Sequence, residues 1–238
     1  MGGMMTKTEV PGDSGLDDRV PFLARLEHEE RSALLGLGRV LGFTPRAPLI
    51  HQHEPSAHIL LILRGWTKVV ASAPNGYEAL LALRGPGDIV GESSALTGRP
   101  RSATVTALEP VEARAIEYDR FRRFLQEFPR ASLTLLTLTS DRMRAADRRR
   151  LDFASLPVRE RFAVLLLELA RSHGRRTPQG IELAIPLSKQ ELAGSVGASR
   201  EMVQRLLKEF REREAVTTGR KALVILRPDI LRQVTRSG

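Results

Sequence analysis

The sequence predicts an α+β chain in three parts: an N-terminal antiparallel β-roll, a long dimerisation helix and a C-terminal winged helix-turn-helix. Three observations carry this. Between residues 44 and 116 the chain breaks into short apolar runs of strand length separated by turn residues. Residues 131–153 contain neither glycine nor proline. Residues 187–211 read LSKQELAGSVGASREMVQRLLKEFR, two short helices around a tight turn. The corresponding domains are a disordered leader over 1–19, the roll over 20–128, the dimerisation helix over 129–154 and the winged helix-turn-helix over 155–238.

The leader is rich in Gly, Asp, Thr and Ser and has little to bury, so it is expected to be mobile. Residues 22–41 carry Phe22, Leu26, Leu34, Leu35 and Leu37 at helical spacings, interrupted by Gly36 and Gly38, which predicts short helices. Strands are then predicted over 49–51, 59–63, 67–72, 77–83, 103–107 and 111–116. Asn75-Gly76 predicts a hairpin closed by a type I′ turn, which needs positive φ at both central residues. Several strands at near-regular spacing predict a small antiparallel roll or barrel. Asp119 is expected to cap a helix that Phe128-Pro129 ends.

In the long helix, Leu135, Leu136, Thr139, Met143, Ala146 and Phe153 recur every three or four residues. That stripe needs a cover, and a second copy of the same helix supplies one; Asp147 and the run Arg148, Arg149, Arg150 dilute its lower half. An amphipathic helix over 158–170 follows, then a break over 175–180 and a strand over 181–185. A hairpin over 215–226 turning at Gly219 completes the wing.

Within 187–211, Ser188 and Glu191 form a capping box, Gly197 stands where the first helix must end with positive φ, and Ser199 is the next N-cap. At about 100° per residue, Met202, Val203, Leu206, Leu207 and Phe210 share one side of the second helix. Arg200, Glu201, Gln204, Arg205 and Lys208 share the other. Arginine forks match guanine O6 and N7, and a carboxylate accepts from cytosine N4, so this face suits base edges in a major groove.

Composition agrees with a polyanion partner, because 37 Lys and Arg against 28 Asp and Glu give a formal charge of +9 on 238 residues. The absence of cysteine excludes disulfides, cysteine zinc fingers, thiol switches and cysteine-ligated iron-sulfur clusters. No apolar run approaches the roughly 20 residues of a membrane-spanning helix, and no signal-peptide core is present. The expected compartment is the cytoplasm. His51, His53 and His58 are close in sequence, but with only Glu54 nearby they read as a surface cluster and no metal site is assigned. GLGRVLG over 36–42 is spaced one residue too long for a dinucleotide fingerprint, and AGSVG over 193–197 follows no strand and so is no nucleophile elbow.

Residues 87–106, GDIVGESSALTGRPRSATVT, combine a helix start near Gly91 with Glu92, Arg101 and Ser102. Free amides, a guanidinium and a hydroxyl are anion-binding chemistry, although a glycine-rich surface turn with one arginine reads the same way. Residues 22–227 resemble the cyclic-AMP receptor protein and FNR (Crp/Fnr) family of bacterial transcription regulators. The resemblance rests on Leu49-Ile50-His51-Gln52 with Gly65, Gly87-Asp88, Gly91-Glu92, Arg101-Ser102-Ala103, and Ser199-Arg200-Glu201 with Arg205. It implies a cyclic-nucleotide-binding jelly roll in which Gly91, Glu92, Ser93, Arg101 and Ser102 hold ribose and cyclic phosphate, with Arg142, Ala146 and Asp147 from the long helix. It also implies that Arg200, Glu201 and Arg205 read a TGTGA-type half-site, with Gln204 and Lys208 on the same face, while Ser188, Lys189, Gln190 and Ser199 contact phosphates.

The departures are informative. A Thr-Ser pair that reaches adenine in cyclic-AMP responders is replaced by Ala146 and Asp147, and His53 stands where the family places a tight-turn glycine. The redox branch and the cysteine-ligated haem branch are excluded by inventory. Three function classes follow: a ligand-gated homodimeric regulator pairing through 131–153, with double-stranded DNA and RNA polymerase as partners and a cyclic nucleotide as effector; an effector-independent regulator with a vestigial cassette; and an enzyme. The third finds no paired carboxylates, no nucleophile with a base and no metal constellation, and no cofactor is required.

Overall fold

The computed structural model describes residues 20–55, 57–183, 185–219 and 223–235. The predicted leader and the residues following Gly219 at the tip of the wing lie outside the described residues.

The chain opens with α1 (Phe22–Arg25) and α2 (His28–Leu35), then departs from the expected run of helices into strand β1 (Arg39–Phe43). Gly38 makes the change possible: its φ is +65°, and a Cβ there would lie 1.9 Å from the Ala115 carbonyl oxygen. The roll continues through β2 (Pro48–Ile50), β3 (His58–Arg64), β4 (Thr67–Ser72), β5 (Glu78–Arg84), β6 (Ile89–Val90), α3 (Glu92–Thr97), β7 (Thr104–Ala107) and β8 (Val111–Glu117). Its two antiparallel sheets run β1-β8-β3-β6 and β2-β7-β4-β5.

The apolar run in β3 is continuous because both faces are buried. Leu60 and Ile62 point between the sheets with Ile50, Val90 and Val105, whereas Ile59 and Leu61 pack outward against Phe22, Leu34, Phe121 and Leu135. The Asn75-Gly76 hairpin is not closed by a type I′ turn. Gly76 has φ +81° but Asn75 does not share it; the Gly76 amide donates to the Ala73 carbonyl at 2.9 Å and the Ala73 amide to Tyr77 at 2.8 Å. Pro74, whose ring fixes φ near −65°, suits the first central position of a type I turn, and Gly76 then supplies the left-handed residue of a three-residue loop.

Helix α4 (Tyr118–Glu127) is N-capped by Glu117, so Asp119 falls in its first turn and not at the cap. Helix α5 (Pro129–Ser155) begins with its proline in the first turn, where the missing amide costs no hydrogen bond. It has two apolar faces. Ala131, Leu135 and Leu138 are buried against the roll, while Leu133, Leu136, Met143 and Leu151 are 62–65 % exposed on the outside. The predicted single stripe is therefore divided: Leu135 belongs to the roll's core, Ala146 and Phe153 line a cavity, and Leu136 and Met143 stay on the outer face.

Beyond it lie α6 (Val158–His173), β9 (Gly174–Thr177), β10 (Gly180–Leu183), α7 (Lys189–Val196), α8 (Arg200–Glu212), β11 (Val216–Thr218), β12 (Leu223–Ile225) and α9 (Pro228–Val234). The predicted break over 175–180 is a further hairpin, and the sheet β11-β12-β10-β9 backs the two-helix unit. Phe162, Leu166, Leu192, Val203 and Phe210 form a core with Val70, Leu80 and Leu83 of the roll. The roll and the two-helix unit share that core.

Candidate functional site

A cavity of about 540 Å³ lies between the roll and α5. Gly91 opens α3 in the left-handed region at φ +82°, and a Cβ there would sit 2.3 Å from Arg101 Nη1. Glycine is what lets the guanidinium pass beneath the backbone. Arg101, 3 % exposed, donates to the carbonyls of Gly91 at 2.8 Å and His58 at 2.5 Å. Its own backbone is clamped, since the His53 amide donates to the Arg101 carbonyl at 2.8 Å and the Arg101 amide to Glu54 at 2.9 Å. That clamp holds His53 at φ +71°, the strain expected where a histidine replaces a tight-turn glycine.

Glu92 is buried and pairs with Arg142 Nη1 at 2.6 Å; Arg142 also donates to the Ile89 carbonyl at 3.0 Å, tying α5 to β6 and α3 of the roll. Burial pushes the His58 pKa below the ordinary histidine value, and the charges of Arg101 and Arg39 push it further down. Ser93, Ser102 and Ala146 line the same cavity. Asp147 does not. It comes five residues after Arg142, about 140° further round the helix, and pairs at 3.7 Å with Arg150, both side chains being largely exposed. Sequence reasoning missed Arg84, Arg149 and Arg150 as lining residues; the arginine run appeared only as a dilution of the helix seam.

In the C-terminal unit Ser188 and Glu191 cap α7 reciprocally, with the Glu191 amide 3.2 Å from Ser188 Oγ and the Ser188 amide 2.6 Å from Glu191 Oε2. Gly197 ends the helix at φ +62° and Ser199 accepts from the Met202 amide at 3.2 Å. Val203, Leu206, Leu207 and Phe210 are buried and Met202 partly so, which leaves Arg200, Glu201, Gln204, Arg205 and Lys208 exposed along one side of α8. Ser188, Lys189 and Gln190 are exposed at the start of α7. Hydrogen bonds from its own amide and from Ser199 hold the Glu201 carboxyl below the usual glutamate range, as expected at a helix N-terminus.

The two units meet through specific contacts. Lys68 of β4 pairs with Glu191, Trp66 meets His173 edge-on with ring centroids 4.2 Å apart, and a Cβ at Gly194 would lie 2.7 Å from the Glu78 carbonyl oxygen. Burial pushes the Glu191 carboxyl up, but Lys68 and Ser188 outweigh it and hold the pKa low. Among the described residues no group of three or more histidines and carboxylates is placed to hold a metal ion, and no helix is long and apolar enough to cross a membrane.

Comparison with known proteins gives the same two halves. Residues 41–128 match the cyclic nucleotide-binding domain family and residues 160–234 the Crp-like helix-turn-helix domain family. A CRP-like cAMP-activated global transcriptional regulator of Mycobacterium tuberculosis is 31 % identical over 172 residues, 72 % of this chain and 77 % of that protein. The cAMP-activated global transcriptional regulator CRP of Salmonella typhimurium is 30 % identical over 185 residues, 77 % of this chain and 87 % of that one. Among solved structures, the c-di-GMP responsive global regulator CLP of Xanthomonas campestris superposes with a TM-score of 0.76 at 23 % identity, covering 84 % of this chain and 99 % of its own. These relatives are transcriptional regulators, which removes the enzyme class. With a nucleotide-binding roll, a long connecting helix and a winged helix-turn-helix in one colinear match, the chain belongs to the Crp/Fnr family of bacterial transcriptional regulators.

Proposed function

We propose that this regulator is a homodimer gated by a cyclic nucleotide in the roll, and that it reads a TGTGA-like palindrome through Arg200, Glu201 and Arg205. The observation that carries the proposal is the division of α5 into an outer apolar face and a cavity-lining face. Leu133, Leu136, Met143 and Leu151 form an exposed stripe that a second α5 covers, while Arg142 and Ala146 reach the cavity from the same helix. A ligand that contacts the inner face thereby acts on the element that sets the spacing of two recognition helices, which is what gating requires. Asp147 lies on the outer stripe between Met143 and Leu151, so in a dimer it faces the partner. Gly91, Glu92, Ser93, Arg101 and Ser102 take the phosphate and ribose; Gln204 and Lys208 flank the base-reading residues, and Ser188, Lys189, Gln190 and Ser199 sit at phosphates. RNA polymerase is the further partner that activation of transcription demands.

The effector-independent alternative has one observation in its favour: Arg101 and Glu92 already bond to His58, Gly91 and Arg142. One calorimetric titration separates the two readings. Cyclic AMP and cyclic GMP are titrated into the purified protein and into R101A, with and without a TGTGA-type palindrome. Saturable binding that R101A loses and that changes DNA affinity establishes gating. Tight DNA binding with no heat from either nucleotide removes gating by a cyclic mononucleotide and favours the constitutive reading. Sedimentation of Leu136→Glu tests the dimer, and an unchanged mass relative to wild type would remove α5 as the interface.

A further inference from the structure

The walls of the cavity carry more positive charge than a single phosphate requires. Arg84, Arg101, Arg142, Arg149 and Arg150 line it, and among the described lining residues Glu92 is the sole carboxylate. Three of the five are accounted for by the site already described: Arg101 lies beneath Gly91, Arg142 pairs with Glu92, and Arg150 pairs with Asp147. Arg84 and Arg149 are placed differently. Arg84 is 7 % exposed, at the end of β5. Arg149 donates to the Leu81 carbonyl on the same strand at 2.6 Å. Both side chains line the one cavity, and the charge of Arg84 opposes that of Arg149.

The carboxylates that act on Arg149 lie on α5 and α6, outside the cavity lining. Glu168 contributes most and Asp152 follows. Glu168 is itself buried, at 6 % exposure, and belongs to α6, the first helix of the DNA-binding unit. A guanidinium held away from water is costly unless carbonyls or an anion satisfy it. Glu168 acts on Arg149 from the neighbouring unit and does not itself line the cavity.

We propose that Arg84 and Arg149 form a second anion seat in the cavity, balanced in the ligand-free chain by Glu168, and that the ligand filling both seats is a nucleotide with two separate phosphate groups. This rests on the reading of the cavity as a nucleotide site. One phosphate lies on Arg101 and Ser102, as a cyclic mononucleotide's would. The other takes Arg84 and Arg149 from Glu168. The exchange frees a buried carboxylate on α6, so a two-phosphate ligand disturbs the packing of the DNA-binding unit on the roll and a one-phosphate ligand leaves it in place.

The test is calorimetry on the full-length chain with cyclic AMP as the one-phosphate probe and cyclic di-GMP as the two-phosphate probe, in wild type, R101A, R149Q and E168Q. The quantity read is the ratio of the two affinities. A second charge-assisted contact is worth about tenfold or more, so wild type favours cyclic di-GMP by that factor, R149Q brings the ratio near one, and E168Q raises it by a further factor of about ten. R101A weakens both probes. A ratio unmoved by R149Q and E168Q, with both probes still dependent on Arg101, overturns the second seat and leaves the nucleotide site standing. Silence from both probes in wild type overturns both. E168Q keeps the shape of the side chain, so it decides the matter alone if R149Q does not fold.

Discussion

The cavity and the recognition helix are both built on arginine and glutamate, yet they use those residues in opposite ways. In the cavity each charge is engaged by its own chain: Arg101 by two carbonyls, Arg142 by Glu92, Arg149 by Leu81. On α8 the charges of Arg200, Glu201 and Arg205 are held in solvent. Cavity residues therefore hold the fold and, in the proposed reading, a ligand as well, so substitutions there are expected to cost stability and binding together. Substitutions on α8 separate the two.

The largest test of that contrast is Arg142→Ala. It leaves Glu92, whose side chain is 10 % exposed, without its cation, and breaking a buried pair in this way should cost about 3 kcal/mol in urea unfolding. Adding Glu92→Gln should recover most of it; a loss below about 1 kcal/mol, the worth of a surface pair, would erase the distinction between the regions. Next comes Arg200→Ala, expected to weaken specific DNA binding by about 1–3 kcal/mol and relax one base position while moving stability by no more than about 0.5 kcal/mol. Equal loss on every DNA sequence would remove it from base reading. Ser188→Ala removes the cap of α7 and should lower stability by about 1 kcal/mol, read as a lower melting temperature; no change would mean that Glu191 and Lys68 hold the turn without it.

The smallest effect is one of pH. The His58 pKa is lowered in the folded chain, so the unfolded chain takes up that proton more readily. Stability is then full above the ordinary histidine value of about 6.5 and declines as pH falls below it. Unfolding midpoints measured from pH 7.5 to 5.5 should show the decline in wild type and a shallower one in His58→Gln. Parallel curves would exclude His58 as its source.

The same contrast explains what could be read in advance. The helix-turn-helix was legible because its signals are local: a capping box four residues long, one left-handed glycine and a stripe with a period near 3.6. The strands were legible wherever apolar runs met turn residues, and β1 was missed because Gly36 and Gly38 looked like interruptions of a helix when Gly38 in fact admits a strand against Ala115. The hairpin at Asn75 was located correctly and typed wrongly, since Pro74 outranked the Asn-Gly pair in setting the turn. In the cavity, Arg84 and Arg149 lie 65 positions apart in sequence and come to line one cavity only because β5 and α5 both border it. No periodicity links them. The two apolar faces of α5 were likewise merged into one stripe, because spacing alone does not say which neighbour each face meets.

Trp66 is the chain's single tryptophan, and it stands at the contact with His173 where the roll and the DNA-binding unit adjoin. The protein thus carries a built-in optical probe at the joint. Its intrinsic fluorescence reads the separation of the two units directly, without a label and at any ligand concentration, so each rearrangement of the joint has a spectral signature in the unmodified chain.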